Sequence, residues 1–320
     1  MSRPVALVLR ALGLGDLLAG VPALRGVRRA LPEHQLILAT EPALAPLTGG
    51  IGAVDSVLGT HGLEPLPFVG PVDVAVDLHG KGPLSQPVLA ATQPDRLVSF
   101  ACPEIGVDGP QWRRDEHERA RWCRLVTESL GEPTDPDDLR LSPPAAPRTE
   151  TVVVHPGAAY AARRWPHQRF AAVAAGLASA GHHVVVTGSG AERPLAQRVA
   201  LAAGLGGDAV LAGRTDVTQL AEIAATARLV VCGDTGMAHL ASAFATPSVV
   251  LFGPTPPAWW GPPEGGPHMT IWHGDRPGDP WAGAPDPALL RIDADEVLDA
   301  ATGLLASTCS PAGAPAVRAR

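Results

Sequence analysis

A chain of 320 residues is too long for one ordinary core and points to two domains. A formal net charge of −7 at pH 7 argues against a nucleic-acid surface, and no charge-free apolar run is long enough for a membrane helix. The four cysteines are scattered without a C-x-x-C pair, and the eleven histidines include no H-E-x-x-H, so neither a structural zinc nor another metal site is expected.

The N-terminal stretch carries Arg10 and Asp16 and lacks a small-residue cleavage site. We therefore expect no signal peptide, and a cytoplasmic, reducing location. Pro4 to Arg10 reads as a short apolar strand and Ala11 to Gly15 as a glycine loop. A helix is expected from Asp16 to about Ala30, kinked by Pro22 in its second turn. Gly13 and Gly15 begin a G-x-G-x-x-G pattern, but Leu18 occupies its third position, so the dinucleotide fingerprint fails. The loop still brings Asp16 to a strand's carboxyl edge, where it is either a functional carboxylate or simply the helix N-cap.

Further strands are expected at Gln35–Thr40, 54–58, 72–78 and 96–100. The loop His79-Gly80-Lys81-Gly82 is either an acceptor contact or merely solvated. Asp115 to Leu130 reads as a helix with a polar face of Glu116, Glu118, Arg119 and Arg121, and with Trp122, Leu125 and Val126 inward. Trp112 and Trp122 are read as core or interface residues. A short strand near Leu139–Leu141 precedes a proline-rich linker at residues 143–150.

A second α/β series follows, with strands at 151–155, 183–187 and 209–211 and helices at 167–180, 192–203 and 217–225. Its centre is Leu229 to Pro254. There a buried strand, the turn Gly233-Asp234-Thr235-Gly236, a small-residue helix and a second strand follow in turn. The turn sets backbone N–H groups at a helix N-terminus, a place for a diphosphate, with Asp234 beside it for sugar hydroxyls. The plainer reading is a helix capped by Asp234 or Thr235. Beyond Pro254 the chain reads as irregular and rich in Pro, Gly and Trp. A last helix is expected at 293–305 and a disordered tail at 307–320. Alternating strands and helices make two parallel sheets, hence two doubly wound domains, 1–142 and 151–306, facing across a cleft.

Three segments, LGLGDLLAGVPAL (12–24), VVVHPGAAYAARRWP (152–166) and CGDTGMAHLASAFATPSVVLFGPT (232–255), together resemble the heptosyltransferases of glycosyltransferase family nine. The resemblance implies an α/β, GT-B fold of two Rossmann-like domains, and an ADP-heptose donor. It places Asp16 as the catalytic base, with Gly13 and Gly15 in the loop beside it. Arg163 falls where the family usually has a lysine touching donor phosphate and sugar. Glu192 falls on a carboxylate contacting the nucleoside, and Thr215 near the adenine frame. Asp234, Thr235, Gly236 and His239 fall on the donor-binding D-T-G-x-x-H motif. Arg163 in place of lysine, and Ala158 and Ala159 where some members carry hydroxyls, depart from the pattern.

An inverting sugar transfer needs one base for the acceptor hydroxyl and fixed positive potential for the diphosphate leaving group. Asp16 and the Arg163–Gly236 region can supply these with neither metal nor cofactor. The expected partners are a nucleotide-sugar donor and a glycan, glycolipid or small-molecule acceptor, with no nucleic acid and at most peripheral membrane contact. Relatives modify the inner core of lipopolysaccharide, but the acceptor here stays open. The alternatives are a transferase using another nucleotide sugar, a non-catalytic nucleotide-sugar binder, and a dinucleotide-dependent oxidoreductase.

Overall fold

The computed structural model describes residues 3–307 and contains two five-stranded parallel sheets. The first sheet has the order β3-β2-β1-β4-β5, from β1 (Val5–Leu9), β2 (Gln35–Thr40), β3 (Ser56–Gly59), β4 (Val74–Asp77) and β5 (Arg96–Val98). Its helices are α1 (Leu14–Ala19), α2 (Val21–Ala30), α3 (Ser85–Ala90) and α4 (Glu118–Leu130). The second sheet has the order β10-β9-β8-β6-β7. It is built from β6 (Thr151–His155), α5 (His167–Ser179), β7 (His183–Val186), α6 (Arg193–Ala202), α7 (Val217–Thr226), β8 (Leu229–Gly233), α8 (Gly236–Phe244) and β9 (Ser248–Phe252). It is completed by α9 (Pro257–Trp260), β10 (His268–Trp272), α10 (Pro287–Arg291) and α11 (Ala294–Ser307).

Parallel strands joined by helical crossovers are covered on both faces, which explains why β1, β6 and β8 are almost continuous Val and Leu. Parallel register also aligns the carboxyl ends. Leu9 pairs with Ala39 and Asp77, and His155 with Cys232. The loops after these strands therefore share one edge of each sheet, and the two edges meet. Here α1 packs directly against α8: a Cβ on Gly15 would lie 2.8 Å from His239 Cδ2, and one on Gly236 would lie 3.0 Å from the Leu14 side chain. Only glycine permits that approach at both positions.

Several expectations need correction. The helix expected from Asp16 to Ala30 is two helices broken at Gly20, and it begins at Leu14. Pro22 lies in the first turn of α2, where its missing N–H costs nothing, so it starts a helix rather than kinking one. Glu118, Arg119 and Arg121 do not form a solvated face. All three are buried: Glu118 pairs with Arg121 and Arg10, and Arg119 with Asp137. Leu139–Leu141 is not a strand; the Leu141 N–H instead donates to Ala243 O, outside either sheet. At 209–211 only Val210 bridges to the sheet, after a 3-10 turn at Gly207–Ala209. The segment beyond Pro254 is less irregular than its composition indicates, since His268–Trp272 adds a parallel edge strand beside β9. Further elements had no expectation, among them 3-10 segments at Pro42–Ile51 and Pro103–Ile105, and the helices α3, α9 and α10. Ser307 closes α11 rather than opening a tail, and 308–320 lie outside the described residues.

Candidate functional site

The site begins where β8 ends. The Asp234 N–H donates to Leu251 O at 3.1 Å, which holds the turn against β9 and buries the carboxylate. Thr235 takes the N-cap position of α8 in extended geometry, and no side chain caps this helix. The plainer reading thus holds for the position of Thr235 at the N-cap but not for a side-chain cap bond. The first-turn N–H groups are left without a side-chain partner, the arrangement that favours an anion. Thr235 Oγ1 is likewise buried, with nothing stronger than the Cys232 thiol to pair with among the described residues.

Arg163 reaches this turn from the 3-10 turn Ala161–Arg163 that follows β6. Its guanidinium lies 4.0 Å from Asp234 Oδ2 and 5.5 Å from the centre of the Tyr160 ring, and its Nε has no hydrogen-bond partner among the described residues. Gly233 lets the chains meet, because a Cβ there would stand 3.3 Å from Arg163 O.

Asp16 arrives from the opposite sheet. Gly13 is the N-cap of α1, so Asp16 sits in the first turn rather than at the cap. Its carboxylate reaches back to the Gly13 N–H, as the acidic residue of a capping box does. Burial raises its pKa, with Arg10 pulling it down, Glu118 pushing it up, and the Gly13 N–H and Arg163 pulling it down. Burial also raises Asp234, to about 6; Arg163 lowers it and the neighbouring Asp16 raises it. The two carboxylates and one guanidinium thus form a single electrostatic cluster spanning both sheets. His239 lies on α8 with its ring over Gly15 and edge-on to Trp260, with centroids 5.8 Å apart. Burial, and then the cations around it, hold it neutral, with its pKa lowered to about 3.

Glu192 stands farther along the second sheet's edge. It accepts from the N–H and Oγ of Ser189, both at 2.8 Å, and packs over Gly157, where a Cβ would meet Oε1 at 2.1 Å. It thereby ties the loop after β7 to the loop after β6. Thr215 is partly buried just before Asp216, which caps α7 with a full capping box. Its loop joins the same wall, because Gly213, at φ +70°, packs on Gly190. The structure therefore brings Asp16, Arg163, Asp234 and His239 to one place, with Glu192 and Thr215 on the loops beside them.

Sequence reasoning missed Arg10, Glu118, His117 and Arg119. The available signal was a charge closing an apolar strand at Arg10 and charges on the apolar side of a helix. The loop at His79 is braced: Asp77 is fully buried and accepts from Ser85 Oγ (2.6 Å) and the His79 N–H (2.9 Å), while His79 Nδ1 accepts the Ala11 N–H at 3.3 Å. Among the described residues no group of three or more His, Cys, Asp or Glu is placed to hold a metal ion. No helix of the described residues is long and apolar enough to cross a membrane.

Residues 113–277, just over half of the chain, match the family model of glycosyltransferase family 9 (heptosyltransferase). The chain belongs to this family. The matched region holds Arg163, Glu192, Thr215 and the Asp234–His239 motif. Lipooligosaccharide heptosyltransferase 2 of Haemophilus influenzae is 35% identical over 111 residues, 33% of this chain and 32% of that protein. The chain thus spans about a third of the length of such curated relatives. ADP-heptose lps heptosyltransferase II of E. coli superposes over 96% of this chain and 100% of its own, with a TM-score of 0.77 and 19% identity. The E. coli heptosyltransferase WaaC with ADP covers 93% and 99%, with a TM-score of 0.69 and 19% identity. At these identities the likeness establishes the GT-B fold for the described residues.

Proposed function

We propose that the protein is an inverting glycosyltransferase that moves heptose from ADP-heptose to an acceptor hydroxyl, with Asp16 as general base and no metal ion. The observation that carries this reading is the meeting of Asp16 with the Arg163–Asp234 pair at the uncapped start of α8, contributed from the two facing sheets. The acceptor O–H proton passes to the Asp16 carboxylate. The acceptor oxygen then bonds to the anomeric carbon from the face opposite the diphosphate. The bond from that carbon to the diphosphate oxygen breaks, and its electron pair leaves on ADP.

The amides of Thr235 and Gly236 and the Arg163 guanidinium receive the charge that develops there. Asp234 accepts sugar hydroxyls. Glu192 accepts from the nucleoside, Thr215 borders the adenine, and His239 seats the base helix against the donor helix. A raised pKa moves Asp16 toward the range where a base works near neutral pH. Family membership supports the donor assignment, as does the likeness to the E. coli heptosyltransferase WaaC, whose structure is one with ADP.

A thermal-shift panel of ADP, GDP, UDP, NAD and ADP-heptose tests the reading. A ligand at about a hundred times its dissociation constant adds roughly 2.7 kcal/mol of stability. Stabilisation by ADP and ADP-heptose is expected. Selective stabilisation by UDP or GDP replaces the donor, and stabilisation by NAD alone overturns the site.

A further inference from the structure

Arg10 is fully buried just after β1, and of its partners only Asp16 has a part in the transfer just described. Its Nε donates to the backbone O of Asp16, and its Nη1 to Leu78 O. Its Nη2 lies 3.4 Å from Glu118 Oε1. Its guanidinium lies 5.0 Å from the centre of the Trp122 ring. Glu118 Oε1 also accepts from Trp122 Nε1 at 2.6 Å, while its Oε2 takes Arg121 Nη1. Arg121 Nη2 then donates to the carbonyls of Arg113, Arg114 and Glu116, at 3.2, 3.1 and 2.8 Å.

Arg10, Glu118, Arg121 and Trp122 are each under a tenth exposed. Buried ion pairs are poor contributors to stability, since apolar replacements often fold as well. The fold also makes room for this one. A Cβ on Gly20, at the break between α1 and α2, would come within 2.7 Å of Arg10 Cδ and Nε.

We propose that Arg10 is a positioning residue for Asp16, held in place by Glu118 and Arg121, so that a three-charge chain ties the base helix to the loop 113–116. The assignment rests on Asp16 being the base. Arg10 donates to one carbonyl near the end of α1, that of Asp16 itself, where a cation also suits the helix dipole, and so fixes how α1 presents its first-turn carboxylate. The groups facing that carboxylate are Arg10 from β1, Glu118 from α4, Arg163 from the loop after β6, and Asp234 before α8. The neutral His239 of α8 lies against Gly15.

The two nearest charges act in opposite senses, and this gives a test that a merely structural role does not pass. Carbon-13 carboxyl NMR follows the Asp16 titration in full-length wild type, Arg10→Met and Glu118→Gln. Arg10→Met is expected to move the midpoint up and Glu118→Gln to move it down. Arg10→Lys keeps the charge but loses the two-carbonyl fork. It is expected to leave the midpoint near that of wild type while kcat falls about ten- to a hundredfold with donor KM unchanged. Midpoints that stay fixed, or that move the same way in Arg10→Met and Glu118→Gln, overturn the assignment. If Arg10→Met does not fold, an unmoved Glu118→Gln midpoint overturns it alone. The titration uses no substrate, so it separates failure of this assignment from failure of the transferase reading, which wild-type turnover reports.

Discussion

Replacing Arg163 with methionine tests the electrostatic cluster directly. The guanidinium lies 4.0 Å from Asp234 Oδ2 and is about a quarter exposed (26%), while Asp234 is buried. At that distance a unit pair interacts by ~1 kcal/mol in water and ~4 kcal/mol at an effective dielectric of 20. Partial exposure places the pair toward the lower figure. Methionine fills similar space without charge, so the neutral carboxyl becomes favoured. The Asp234 midpoint should rise from about 6 by roughly one pH unit, three at most. Asp16 should rise less, since Arg163 is the weakest of the groups acting on it. Carboxyl NMR titration reads both positions in one sample, and circular dichroism checks the fold. If the Asp234 midpoint stays put in a folded variant, the pairing of Arg163 with Asp234 is wrong. If Asp16 moves more than Asp234, the geometry of the cluster is wrong.

Asp16→Ala should lower kcat by about 10²–10⁴ while calorimetric donor affinity is kept; undiminished turnover removes the base assignment. Gly15→Ala would force a methyl to within 2.8 Å of His239 Cδ2. It should lower stability in denaturant titrations by ~1–3 kcal/mol, whereas a neutral result would mean that α1 and α8 do not meet as closely as described.

The alternation of buried strands and helices was enough to reveal both sheets, because parallel strands are covered on both faces and leave a continuous apolar signature. β10 escaped notice for the opposite reason. It is an edge strand, with Met269 and Thr270 exposed, set between proline and glycine runs, so its pattern is neither buried nor alternating. The Gly233–Gly236 turn was legible as a candidate anion site from strand, glycine and helix order. The absence of a side-chain cap bond on α8 was not, because Asp234 and Thr235 are good capping residues by type and only the folded turn leaves both without one. The burial of Glu118, Arg119 and Arg121 was invisible for a similar reason. Charges at helical spacing normally mark a solvated face, and here Glu118 pairs with Arg10, Arg119 with Asp137 and the distant Gly261 carbonyl, and Arg121 with Glu118 and the carbonyls of the preceding loop. Gly15 and Gly236 each looked like a loop glycine, and their shared role needs both sheets in place.

The same burial makes one imidazole a sensor of acid. His117 Nδ1 accepts the Arg119 N–H at 3.2 Å, capping α4, and its Nε2–H donates to Gly261 O at 3.1 Å. Arg119 Nη1 donates to the same carbonyl at 2.8 Å. These bonds tie α4 to the residue that follows α9, so they cross from the first sheet's helices to the second's. The Nδ1 bond requires the neutral ring, whereas the Nε2–H bond to Gly261 O survives protonation and favours it. Burial, and then Arg119, lower its pKa to about 4. The unfolded chain, near the ordinary 6.5, therefore binds this proton first as pH falls. Stability from this group is complete above about 6.5 and is lost down to about 4, by up to ~3 kcal/mol. Asp77 and Asp234, raised to about 6, act in the opposite sense over part of the same range, so the whole-protein curve mixes both signs. A difference between variants isolates the histidine. His117→Asn keeps an N-cap acceptor but cannot titrate. Its deficit relative to wild type at pH 7 should shrink or reverse at pH 4.5 in urea unfolding. A deficit equal at both pH values would mean that His117 is not held neutral by this contact.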